Sequence, residues 1–170
     1  MAYSSSITLR SALVIFACLL HNTASAEAKV GDRFGDWVFE CRALSADINV
    51  CALAQTILNK KNNRRHVKLS LMTSGGKKDQ ELHALLPLGI HLPSGVSAAV
   101  GQDKPFPLTV QNCTQQGCMA TGKVDNTLLK TMQSGDKLTI SFSRQPAAKP
   151  IVVEGSLKGL AEGLKAIGHK

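Results

Sequence analysis

Beyond residue 26, apolar residues recur mostly with a period of two, the spacing that sends alternate side chains to one face of a strand. Val67-Lys68-Leu69-Ser70-Leu71 alternates, as do Phe106-Pro107-Leu108-Thr109-Val110 and Lys137-Leu138-Thr139-Ile140-Ser141-Phe142-Ser143. Trp37–Arg42, Cys51–Leu58, Leu82–Leu86, Val96–Val100, Cys118–Val124 and Ile151–Leu157 read as further strands. Turn residues punctuate them: Asn62-Asn63, Gly75-Gly76, Pro87 with Gly89, Pro93 with Gly95, Gly117, Gly135-Asp136, and Pro146 with Pro150. About nine short strands so divided predict an all-β, antiparallel sandwich or barrel and argue against alternating βαβ units.

Two segments change period. Asn126–Gln133 spaces Leu128, Leu129 and Met132 like one or two helical turns ended by Gly135, and Leu157–Ile167 spaces Leu157, Leu160, Leu164 and Ile167 at helical intervals. The second predicts a short C-terminal helix laid over one end of the sandwich. No repeat, low-complexity tract or linker divides the chain.

Residues 1–26 have a different character. Arg10 precedes the apolar run Ala12–Leu20, which is shorter than the roughly 20 residues that span a bilayer. Ala24-Ser25-Ala26 then supplies the small residues a signal peptidase accepts, so cleavage is expected after Ala26. A lipid anchor on Cys18 is the competing reading, but Phe16-Ala17 is a poor context for lipidation. No later run is long and apolar enough for a transmembrane helix. The expectation is an exported protein of the periplasm, or one secreted or associated with the outer surface, with residues 27–170 forming a single domain.

Removing residues 1–26 from the 170 leaves 144, enough for one core. Lys and Arg fall from 20 to 19 against 12 acids, a net charge of +7. Such a surface favours polyanions: lipopolysaccharide, anionic lipid or sulfated glycan. Export removes the main reason to expect nucleic acid as a partner.

Four cysteines remain after cleavage, as two close pairs, Cys41 with Cys51 and Cys113 with Cys118. In an exported chain they are expected to be oxidised. Nine residues separate Cys41 from Cys51, unlike the tight pairs of a structural zinc site. Cys113-Thr-Gln-Gln-Gly-Cys118 lacks the Cys-x-x-Cys spacing and helix start of a redox centre and reads as a stapled turn. Four cysteines allow three connectivities, and the sequence-local pairing is the one expected.

Lys60-Lys61-Asn62-Asn63-Arg64-Arg65-His66 is the strongest candidate for contact with a partner. If a hairpin forms, Lys60, Lys61, Arg64 and Arg65 converge at its tip, where a phosphate or sulfate can bridge Lys and Arg donors. The same charges would also serve as a solvated tip that keeps the sheet edge soluble. Trp37 is expected in the core, with its indole N–H on an acceptor, and Pro87–Gly95 as a bend between strands. His66, His83, His91 and His169 show no metal spacing and no serine–aspartate context, so they default to surface or strand-edge positions. No cofactor is implied.

Gly35-Asp36-Trp37-Val38-Phe39-Glu40-Cys41, Cys51-Ala-Leu-Ala-Gln55, Leu86-Pro87-Leu88-Gly89-Ile90-His91-Leu92-Pro93-Ser94-Gly95-Val96, Cys113–Cys118, Gly135-Asp136-Lys137-Leu138 and Ser156-Leu157-Lys158-Gly159-Leu160 together resemble the invasion-associated locus B family of bacterial exported proteins. The resemblance covers essentially the whole chain after residue 26. It implies a periplasmic or surface-associated β-sandwich of immunoglobulin-like topology with oxidised cysteines. It also implies a link, in founding members, to virulence through invasion of host cells. No catalytic residue carries over.

The resulting expectation is a binding protein of the envelope or host surface, with a protein or polyanion partner and no reaction of its own. Two other classes stand beside it. One is an inhibitor of a host or rival hydrolase that uses Cys113–Cys118 as a rigid insert; the other is an envelope enzyme assembled from distant strands.

Overall fold

The computed structural model describes residues 28–43, 45, 49–73 and 80–168, and in it the period-two segments are strands. They are β1 (Arg33–Phe34), β2 (Trp37–Ala43), β3 (Asn49–Leu58), β4 (Arg65–Thr73), β5 (Gln80–Leu86), β6 (Val96–Val100), β7 (Phe106–Thr114), β8 (Gly117–Val124), β9 (Lys137–Phe142) and β10 (Ile151–Ser156). All nine expected strands are present. The additional β1 is two residues long, too short to show any period. The segment 1–26 and the Gly75-Gly76 turn lie outside the described residues.

The helical segments are α1 (Asn126–Ser134) and α2 (Leu160–Ala166). Asp125 caps α1 by accepting the Leu128 N–H at 2.8 Å, and Leu129 and Met132 face the core. The C-terminal helix begins later than its apolar spacing suggests. Gly159 sits at φ +88°, and a Cβ there would strike the Phe34 carbonyl, so the chain passes β1 in close backbone contact before it can coil.

Every neighbouring pair of strands is antiparallel, and all ten follow the order β1-β2-β3-β4-β5-β8-β7-β6-β9-β10. The all-β class is as expected. Hydrogen bonding, however, joins the strands in one curled sheet, and this refines the two-sheet, immunoglobulin-like expectation. The corner is β7. Phe106–Leu108 pair with β6, while Thr109 onward pairs with β8. A bulge between Val110 and Asn112 bends the strand where it changes partner. Inward residues of both halves, including Leu53, Leu69, Leu71, Leu82, Ala120, Leu138 and Ile140, are fully buried in one cluster with Leu160 and Leu164 of α2.

The curl brings the two ends of the sheet together. Trp37 is fully buried, and its Nε1–H donates to the Ser156 carbonyl at 3.0 Å. Gln55, on the inward face of β3, accepts the Ser156 N–H at 2.9 Å and donates to the Ser156 carbonyl at 3.1 Å. Its second amide hydrogen reaches the Asp36 carbonyl at 3.3 Å. A single side chain thus gives β10 the donor and acceptor that a neighbouring strand would give. Gly155 makes room for it, since a Cβ there would sit 2.9 Å from Gln55 Oε1 and 2.7 Å from a Leu69 methyl.

Replacing Gln55 with Leu keeps the volume but leaves the Ser156 N–H without its partner and removes three hydrogen bonds. Each such bond contributes about 1 kcal/mol net, and an orphaned buried donor costs about 1 to 3 kcal/mol. Urea unfolding of Gln55→Leu should show a loss of about 2 to 4 kcal/mol. The exposed neighbouring change Thr56→Ala should stay within about 0.5 kcal/mol.

Candidate functional site

Because the strands alternate in direction, the β3–β4, β5–β6, β7–β8 and β9–β10 connections emerge at one end of the sheet. Three contacts tie them together there. Arg65 donates through Nη2 to the Gln116 carbonyl. The His66 ring meets Phe142 edge-on at 6.3 Å between centroids. The His91 N–H donates to the Ser143 carbonyl at 2.7 Å.

The β3–β4 tip is built by asparagines. Asn59 Oδ1 accepts the Lys61 N–H at 2.9 Å, Asn62 Oδ1 accepts the Arg64 N–H at 3.1 Å, and Asn63 takes the left-handed φ of +53° that asparagine tolerates best among residues with a Cβ. Lys60, Lys61, Arg64 and Arg65 are all exposed. The hairpin expected from sequence exists, and its four cations stand at one tip.

The fold adds cations the sequence reading did not join to them. Arg144 and Lys149, both exposed, lie on the β9–β10 connection at the same end. The segments 59–66, 87–95, 115–116 and 143–150 hold six Lys and Arg and no Asp or Glu. The acid on which this end acts is Glu154 on β10. Lys137 pairs with it at 2.8 Å and holds its carboxyl below the usual range, with Lys60 adding a smaller effect. The β1–β2 turn with Asp36 also points this way, but it is set back, level with Gln55 and bonded to the Lys158 carbonyl at 3.1 Å. The opposite end mixes the described acids Asp103, Asp125 and Asp136 with Lys104 and Lys130.

The expected bend Pro87–Gly95 is a connection with one 3-10 turn at Leu92–Ser94, closed by Gly95 at φ +73°. The cysteines form Cys41–Cys51 and Cys113–Cys118 bridges, each between residues directly opposite on adjacent strands. The second locks a two-residue turn, Gln115-Gln116, beside Arg65. Gly117 allows that turn, because a Cβ there would strike the Leu86 carbonyl.

His83 pairs with Glu81 at 2.8 Å, and His91 Nδ1 lies 2.7 Å from Ser94 Oγ; His169 lies outside the described residues. Among the described residues no group of three or more His, Cys, Asp or Glu is placed to hold a metal ion, and no helix is long and apolar enough to cross a membrane.

One feature escaped the sequence reading: a cavity of about 390 Å³ on the outward face of β2, β3, β4, β5 and β8. Ala52 lies on its floor, and Met72, Leu85 and Met119 line it. The Glu40–Lys68 pair, 2.6 Å apart, and the Glu81–His83 pair stand at its rim. His83 holds the Glu81 carboxyl below its ordinary range through their hydrogen bond. The available signal was apolar residues in the outward phase of strands that should have been polar there.

The sequence profile described as "Invasion associated locus B (IalB) protein" matches residues 37–168. No curated protein matches the chain. The crystal structure of invasion associated protein B from Bartonella henselae is similar, with a TM-score of 0.71 at 19% sequence identity, over 80% of this chain and 92% of that one. At that identity the likeness speaks for the fold.

Non-reducing peptide mapping should recover Cys41 joined to Cys51 and Cys113 joined to Cys118. Crossed pairs would contradict the registers of both hairpins.

Proposed function

The chain belongs to the invasion associated locus B family, and from that premise we propose that it is an exported binding protein of the bacterial envelope or surface. It carries out no reaction of its own and engages a polyanion through the cationic end. A contribution to bacterial contact with host cells, or to their invasion, would follow from that adhesion. The observation that carries the binding reading is the convergence of four connections bearing six cations and no acid. Like charges so placed repel one another and cost stability, a cost that a phosphate- or sulfate-bearing partner relieves.

Lys60 and Lys61 supply point charges, while Arg64 and Arg65 add planar forks suited to phosphate and sulfate oxygens. The Arg65 bond to Gln116 holds one fork against the stapled turn, so part of the site is ordered before the ligand arrives, which lowers the entropy lost on binding.

Changing Lys60, Lys61, Arg64 and Arg65 to Gln should weaken binding to immobilised heparin at least about tenfold more than changing Lys104, Lys123, Lys130 and Lys165. Both sets remove four charges. Equal losses in two folded variants would reduce the effect to net charge and refute a site at this end. Export carries its own test: intact mass of the protein from the envelope fraction should give Glu27 as the first residue and no lipid, and a diacylglyceryl group on Cys18 would refute a soluble exported form.

A further inference from the structure

Five large hydrophobic residues are exposed among those described: Val30, Leu58, Leu88, Leu92 and Val152. Scattered exposed leucines are ordinary, but four of these stand at the cationic end. Leu58 closes β3 directly before the basic tip. Leu88 and Leu92, about half exposed at 51% and 52%, lie on the β5–β6 connection. Val152 is the second residue of β10, just past Lys149.

The connection holding Leu88 and Leu92 is not loose. Its backbone is anchored to Ser143 through His91 and turned by Leu92–Ser94. The leucines are thus held outward on a fixed loop where the fold offers them no cover. Resting on the polyanion reading of this end, we propose that it docks on an anionic lipid bilayer surface, the cations meeting headgroup phosphates while Leu88 and Leu92 enter the headgroup–acyl boundary.

A sulfated glycan would use the cations and leave the leucines in water, whereas a lipid surface uses both. Cations near an anionic leaflet and apolar groups below the headgroups are the two contributions that together hold a protein on a membrane. Docked this way, the strands stand steeply to the membrane. The end bearing α1 and Asp103, Asp125 and Asp136 then points away from it.

The test is co-sedimentation with large unilamellar vesicles of phosphatidylcholine alone, or with about a third phosphatidylglycerol, run beside heparin binding. Wild-type protein should sediment with the anionic vesicles and not with the neutral ones. Leu88→Ser/Leu92→Ser, at exposed positions that leave the core intact, should lose vesicle affinity about tenfold or more and keep its heparin affinity. The quadruple Gln variant of the basic tip should lose both. A folded leucine variant that sediments like wild type, or wild-type protein that binds heparin but no vesicles, overturns lipid docking and leaves the polyanion reading standing. Unchanged heparin binding in the quadruple variant removes that reading itself.

Discussion

The Gln55 side chain holds this fold closed. A ten-stranded open sheet has two edges, each a row of unpaired backbone groups that invites another chain. Here β10 is brought across β3 and β4, and the Gln55 amide satisfies both the N–H and the C=O of Ser156. Gln55 is only 6% exposed, so these bonds form where water does not compete, and a missing partner there is costly. Trp37 seals the same carbonyl from the other side. Gly35 and Gly159 let the β1–β2 turn and the residues after β10 meet backbone to backbone. The fragments around Trp37, Gln55 and Ser156–Leu160, through which the chain resembles its family, are therefore the parts of one seam.

The seam explains why the ends of the molecule differ. With the sheet curled and α2 lying against β1, β2 and β3, the strands cannot slide past one another, and alternation assigns each connection to one end or the other. The Cys113–Cys118 bridge pins the β7–β8 turn beside Arg65. The charge asymmetry thus has a rigid frame. It is a property of the fold's topology, with cations and no acid on the four tied connections at one end and Asp103, Asp125 and Asp136 mixed with Lys104 and Lys130 at the other.

Much of the frame was legible because period-two alternation is local: each inward leucine of β4 is visible from its two neighbours. The core place of Trp37 and its need for an acceptor followed from its size and its indole N–H. The curl was not legible, since it depends on contacts such as Gln55 to Ser156, 101 residues apart. Its trace was one polar residue in the apolar phase Leu53, Gln55, Ile57. The basic tip could be read because its four cations are contiguous. Arg144 and Lys149 could not, being joined to it only by strand pairing across the sheet. The outward cavity was hidden for a related reason: Ala52, Met72, Leu85 and Met119 come from four strands, and only their pairing brings them to one place.

Charge and apolar surface act over different distances, and the cationic end holds both. At about 0.1 M salt a cation is felt over about 10 Å, so Lys60, Lys61, Arg64 and Arg65 would orient the molecule before it touches anything. A leucine contributes only once water is expelled from around it. Glu154 opposes the first effect only weakly: its hydrogen-bonded partner is Lys137 at 2.8 Å, and Lys60 acts on it as a smaller, Coulombic influence. Leu88 and Leu92 flank a turn that the core fixes through Ser143, so their burial against a partner need not first order the loop. An end that would attract at a distance and bind on contact, on a frame closed at the Gln55 seam, is more than solubility requires, because solubility calls for the charges and is served worse by the leucines.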